Sequence, residues 1–198
     1  MFQTASRVGR PRSAEADEAI VKATLTLLAE DGLDGMSMDA VAAMAGVGKA
    51  TIYRRWPSRR DLVAAALRSL TSDIQVPDTG DVRDDLVALL RAFQHTTLHG
   101  LPADLRPRLI ALTLTNPDLM QVFLTNVYSP RRSALLEVLE RGKARGDLRP
   151  DLDTELAFEM IHGPMFQHSL LGAASVGDPD LPARLVDSVL SGIASRES

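Results

Sequence analysis

Apolar residues recur along this chain at helical spacing almost from end to end. Ile20, Ala23, Leu27 and Leu28 follow an i, i+3, i+7, i+8 pattern, and the stretch from Ala14 to Glu30 lacks glycine and proline. A first helix is predicted there, with Gly32 just beyond it as the stop. Ser37 can cap a short second helix carrying Val41, Ala42 and Ala45, and Gly46 closes it. A third begins near Gly48 or Lys49 and ends by Trp56, because Pro57 pushes the preceding residue out of the α region. Ser58 then caps a fourth, with Asp61 in a capping-box position and Leu62, Ala66, Leu67 and Leu70 as its apolar stripe.

Val76-Pro77-Asp78-Thr79-Gly80 is the clearest breaker cluster, so the junction is expected there, dividing the chain into 1–75 and 76–198. Beyond it, helices are predicted near 81–99, 104–115, 117–145, 153–172 and 180–195. Pro102, Pro107, Pro117, Pro150 and Pro179 mark most boundaries, and Pro130 is expected to break or kink the long one. No segment alternates with period two for long enough to suggest a strand. An all-α chain of about nine helices is the expectation.

Composition narrows the function. The 198 residues are 45% apolar and 24% charged, the balance of a soluble globular protein. With no cysteine, disulfide scaffolds, thiol nucleophiles, zinc fingers and iron–sulfur sites are excluded. The longest aliphatic run is Leu62 to Leu67, far short of the ~20 residues that cross a bilayer. The first fourteen residues lack the apolar core of a secretory signal, so a cytoplasmic location is expected. A net charge of −4 argues against a nucleic-acid partner, yet its distribution does not. Residues 1–60 hold nine basic and seven acidic side chains, against thirteen and nineteen in 61–198, and 47–60 hold five basic and no acid. Screening confines each charge to about 8 Å at physiological salt, so a local basic patch can still hold a polyanion.

The segment from Ser37 to Trp56 reads as a helix-turn-helix. Ala42 and Ala45 let the two helices approach, Val47, Ile52 and Trp56 supply the shared apolar contact, and Gly46 can take the positive φ of the sharp turn. The third helix, of about eight residues and roughly 12 Å, is too short to stand alone. Lys49, Ala50, Tyr53 and Arg54 form its outward face, while Gly48 and Ala50 are small enough to let its tip enter a major groove. Lys49, Arg59 and Arg60 sit in first turns, where cations oppose the helix dipole by roughly 0.3–1 kcal/mol each. A solvated basic face is one reading; a clamp balanced by DNA phosphate is the one favoured by the motif beside it.

The stretch from Ala14 to Leu67 resembles the DNA-binding domain of the tetracycline-repressor (TetR) family. The matching residues are Ala45-Gly46-Val47, Thr51-Ile52-Tyr53, the aromatic Trp56, and Ser58 with a basic residue before Leu62. The resemblance implies an N-terminal three-helix helix-turn-helix domain followed by a helical ligand-binding and dimerisation domain. It also implies a homodimer with one operator half-site per subunit, and a small-molecule effector that releases DNA. Ser37 stands where the family contacts phosphate; Gly48, Lys49, Ala50, Thr51, Tyr53 and Arg54 belong to the recognition helix, and Arg59 replaces the usual lysine. Gly48 departs from a common serine, and Met36 from a frequent threonine. Arg7, Arg10 and Arg12 form either an arm reaching DNA or a tail with no such role.

In the second half, Phe93, Leu98, Leu112, Met120, Phe123, Met160, Met165 and Phe166 serve as core or line an effector cavity. Phe93, Thr97, Phe123 and Met160 are the ligand-binding candidates; Thr97, Asn126, His162 and Gln167 could add polarity. His95 and His99 share a helix face, but no third ligand is evident, and neither metal nor cofactor is expected. Leu181, Leu185, Val189 and Ile193, facing Phe158, Ile161 and Met165, are the expected dimer seam, an isologous four-helix bundle, with Gly192 allowing close approach. No nucleophile elbow, paired-carboxylate site or phosphate loop is present, so no enzyme is expected. The expected function is a sequence-specific DNA-binding transcriptional regulator, a repressor released by its effector. The alternatives are an activator of the same fold, or a helical interaction module whose basic patch binds an acidic protein.

Overall fold

The computed structural model describes residues 12–70, 74–100, 102, 104–171 and 178–193. Arg7 and Arg10 lie outside these, as do the side chains of Arg12, Thr97, Leu98, His99 and Ile193. Every element among the described residues is helical: α1 (Arg12–Gly35), α2 (Met38–Ala45), α3 (Lys49–Tyr53), α4 (Arg59–Arg68), α5 (Val82–Gly100), α6 (Leu105–Thr115), α7 (Pro117–Phe123), α8 (Ser129–Arg145), α9 (Thr154–Leu171) and α10 (Leu181–Ile193). A wide helical turn, Leu124–Tyr128, joins α7 to α8, so the ten segments form nine rods as the spacing predicts.

Local chemistry explains most ends. Ser37 Oγ accepts from the Ala40 amide, and Gly46 closes α2 at φ 64°, a left-handed conformation that costs glycine little. Ser58 and Asp61 form the reciprocal capping box at α4. Three expectations needed adjustment. Helical structure continues past Gly32 to Gly35, with a break at Gly32 itself (φ 73°, ψ −179°). The third helix has five residues rather than eight, because the chain tightens ahead of Pro57: both Arg55 and Trp56 donate to the Ile52 carbonyl. Pro130 neither breaks nor ends the long rod. The preceding turn widens, with the Ser129 amide reaching back to the Leu124 carbonyl, and Pro130 falls in the first turn of α8, where its missing N–H costs little.

Two apolar cores result. One gathers Ile20, Leu28, Met36, Val41, Ile52, Leu62 and Leu67 from α1–α4, and it also takes Leu105, Leu109, Leu119, Val122 and Val127 from the later helices. Helices α1 and α4, which flank the helix-turn-helix, are therefore seated on α6 and α7. The other unites α5, α8, α9 and α10 through Leu86, Leu90, Leu135, Leu139, Phe158, Ile161 and Val186. Arg83 grips Asp187 with two hydrogen bonds (2.6 and 3.0 Å), tying α5 to α10. The stretch before α5 is pinned to α8, where Arg141 donates to the Pro77 carbonyl, and to α5 itself, where Thr79 donates its amide and hydroxyl to the buried Asp85 carboxylate, each at 2.8 Å.

Candidate nucleic-acid interface and buried cavity

Ser37, Gly48, Lys49, Ala50, Tyr53, Arg54 and Arg59 are all exposed; Thr51 is half-buried, and Ile52 between them anchors α3 in the core. Tyr53 is 50% exposed, far more than packing would leave an aromatic ring on a five-residue helix. Lys49 Nζ lies 2.6 Å from Asp39 Oδ2, and Arg59 donates to the Met36 carbonyl at 3.3 Å. The two cations thus meet the same short entry to α2, Met36 to Asp39, that contains the capping Ser37.

Not every basic side chain in this stretch joins them. Arg55 turns inward, 2.8 Å from Asp17 and bonded to the Thr51 carbonyl, where it fastens α1 to α3. Arg59 and Arg60 share a shallow pocket with Leu33, Val63 and Asp118. Lys49 is not left for phosphate alone to balance, since Asp39 pairs with it within the chain. That pair is about 60% exposed on both sides and weak enough for a polyanion to compete with it.

A cavity of about 390 Å³ lies between the cores, walled by Leu67 and Leu70 at the end of α4 and by residues of α5–α10. Its volume falls within the range of small-molecule sites. Phe93 and Phe123 line it as expected, with Met120, Met165 and Phe166. Met160 does not: it is 46% exposed on the opposite face of α9. Asn126 spends its amide on the Val122 carbonyl, and Gln167 is exposed, so neither supplies polarity. His162 does. It stacks on Phe158 (5.2 Å, 15°) and meets Tyr128 edge-on at 6.0 Å. Burial, assisted by the Arg131 guanidinium, pushes its pKa down to about 4, so the ring is neutral at physiological pH.

Sequence reasoning passed over Arg131. It lies over the Phe93 ring at 5.2 Å, and its Nη2 donates to the Leu70 carbonyl (3.2 Å) and to Thr96 Oγ1 (3.3 Å). Burial pushes its pKa down to about 10, which leaves it charged. A signal does exist in the chain: Val127, Arg131, Ala134, Leu135 and Val138 share one helical stripe, and an arginine within an apolar stripe is drawn toward the core, where Arg131 is half-buried.

Of the expected dimer seam, Phe158, Ile161, Leu181 and Val189 are buried within the single chain, and the half-buried Met165 lines the cavity. Leu185 is half-buried. Among the described side chains of α9, the large apolar ones left exposed are Leu156 (53%) and Met160, one turn apart. Among the described residues, no helix is long and apolar enough to cross a membrane, and no group of three acidic or histidine side chains could hold a metal.

Residues 20–66 match the family described as bacterial regulatory proteins, tetR family, and residues 76–189 match the tetracyclin repressor-like C-terminal domain. The DNA-binding transcriptional repressor TetR of Mycobacteroides abscessus is 34% identical over 184 residues, 92% of this chain and 93% of that protein. The HTH-type transcriptional regulator YdeS of Bacillus subtilis is 32% identical over 179 residues, 87% of each chain. Among solved structures, the TetR family transcription regulator SCO0332 superposes with a TM-score of 0.64 at 28% identity, covering 91% of this chain and all of that one.

Proposed function

This chain belongs to the TetR family of DNA-binding transcriptional regulators, and from that premise we propose that it is a cytoplasmic repressor released from operator DNA by a small-molecule effector. The observation that carries the reading is the exposed face of α3 beside the α2 entry. Lys49, Tyr53 and Arg54 project there over small Gly48 and Ala50, with Ser37, Thr51 and Arg59 alongside to hold phosphate. Residues 1–75 form the DNA-binding unit and 76–198 the effector unit. Two copies join through the exposed α9 face around Leu156 and Met160, so that paired recognition helices read two half-sites. The repressor assignment is supported by the 34%-identical relative named as one.

Effector binding acts by differential affinity. The cavity wall includes Leu67 and Leu70 of α4 and its end, the helix whose first residue is Arg59. A ligand that prefers a different position of α4 moves the recognition helices from the separation, about 34–36 Å or a multiple, that two half-sites demand. Selection of duplexes from a random pool tests the reading. A recovered palindrome, bound with log K falling about 0.9 per phosphate contact per unit log salt, is expected. Binding that ignores sequence would favour an acidic-protein interaction module instead. Transcription from a promoter carrying the selected site separates repression from activation.

A further inference from the structure

The chain has only eight aromatic residues (five Phe, two Tyr, one Trp), and five of them line one cavity: Phe93, Phe123, Tyr128, Phe158 and Phe166. They come from α5, α7, the wide turn after it and α9, so no single helical stripe accounts for their meeting. Phe93 and Phe158 are buried, whereas Phe123, Tyr128 and Phe166 are half-buried and border the same space. Rings in offset-stacked or edge-to-face contact gain more than their buried area alone supplies, so such a wall favours an aromatic guest.

The polar groups of the wall narrow the choice. His162 is positioned by rings, stacked on Phe158 and edge-on to Tyr128. A neutral imidazole carries one donor and one acceptor, and a phenolic hydroxyl can serve as either. Among the described residues, no protein group hydrogen-bonds to the His162 ring nitrogens or to the Tyr128 hydroxyl. The other polar groups there have protein acceptors. Gln94 donates to the Asp178 carbonyl, Thr113 to the Leu109 carbonyl, Ser169 to the Met165 carbonyl, and Arg131 to the Leu70 carbonyl and the Thr96 hydroxyl. Arg106, Arg131 and Glu159 place both signs of charge around the wall, with His168 beside them.

We propose that the cavity recognises an uncharged hydroxylated aromatic compound, its rings among the phenylalanine side chains and its hydroxyl group hydrogen-bonded to His162 and Tyr128. The proposal rests on the effector reading above and adds the chemical class of the effector. One aromatic hydroxyl donates to the imidazole acceptor and accepts from the Tyr128 hydroxyl, so a single oxygen satisfies both groups. An ether at the same place accepts but cannot donate. A carboxylate would give up its water for two neutral partners, with Glu159 on the same wall.

The test uses the full-length protein with four probes of one shape: β-naphthol, its methyl ether, β-naphthoate and the saturated decahydro-β-naphthol. Calorimetry at neutral pH is expected to rank β-naphthol tightest, about fivefold or more ahead of the ether, as the loss of a donated hydrogen bond implies. The naphthoate and the saturated alcohol should both bind more weakly than β-naphthol. In His162→Phe, which keeps the ring stack, the preference for the naphthol over its ether should vanish while ether binding persists, which also reports that the cavity is intact. Tyr128→Phe should reduce the preference by about two- to threefold. Equal affinity for naphthol and ether in the unmodified protein, or a preference that survives His162→Phe, overturns the proposal. Tighter binding of the naphthoate overturns it in favour of an anionic ligand, and equal binding of the saturated alcohol overturns its aromatic part. Binding by none of the four overturns it outright. The effector reading is judged apart from these, on the selected operator duplex: it falls if β-naphthol saturates the protein and leaves the DNA complex intact.

Discussion

The Lys49 ammonium lies 2.6 Å from the Asp39 carboxylate, joining the recognition helix to the first turn of the helix before it. The pair spans two exposed side chains, so it contributes little to stability, on the order of 0–1 kcal/mol. On the proposed function its consequence is for binding: Lys49, the cation proposed to meet DNA, is already positioned, and Asp39 would be the competitor that phosphate displaces.

Replacing Lys49 with alanine should weaken operator binding and lower the salt slope by about 0.9, the share of one phosphate contact. Asp39→Asn should act with the opposite sign, tightening binding to any duplex. Melting temperatures of both should stay close to wild type. Anisotropy titrations at several salt concentrations check the first two outcomes.

Tyr53→Phe removes only a hydroxyl from a half-exposed ring. A lost hydrogen bond of about 0.5–1.5 kcal/mol corresponds to a roughly two- to twelvefold weaker operator complex. Unfolding in urea should be unchanged within about 0.5 kcal/mol.

Asp85 is fully buried, holds Thr79 by two hydrogen bonds, and lies 3.6 Å from Arg141. Truncation to alanine should leave the Thr79 amide and hydroxyl without their acceptor and release the chain before α5, at a cost of about 1–3 kcal/mol in urea unfolding. The exposed Asp84→Ala should serve as a near-neutral control.

His162 folds with its pKa near 4 instead of 6.5. Between those values the unfolded chain binds a proton that the folded chain does not, so stability falls as pH drops from about 6.5 to 4 and is unaffected above that window. The gap corresponds to about 3 kcal/mol at its low end. Arg131 deepens the effect, and His168 and Glu159 share the cavity. His162→Phe, which keeps the stack on Phe158, should flatten the pH dependence of thermal unfolding between pH 6.5 and 4.

Leu156→Lys with Met160→Lys places two charges on the exposed apolar face of α9. Sedimentation should show a monomer, and operator affinity should fall steeply, because each subunit would then bind one half-site alone. Helical content should be unchanged.

What could be read along the chain was whatever acts within one helical turn. Ser37, Gly46 and the Ser58–Asp61 box decide helix ends through bonds within one turn, and Leu62, Ala66 and Leu67 are buried as one apolar stripe of α4. The helix-turn-helix and the outward positions of α3 follow from those rules and from the motif. The destination of longer reaches was decided only by packing. Arg55 and Arg54 are adjacent in a basic run, yet Asp17 on another helix takes one inward and leaves the other in water. On α9, Leu156, Phe158, Met160, Ile161 and Met165 surround the axis, so periodicity cannot say which side faces the chain's own core. α5, α8 and α10 settle that by covering Phe158 and Ile161 and leaving Leu156 and Met160 outside. The meeting of Arg131 with Leu70, 61 residues apart in sequence, is of the same kind: a hydrogen bond of 3.2 Å exists only once two independently formed helices have been brought to one cavity.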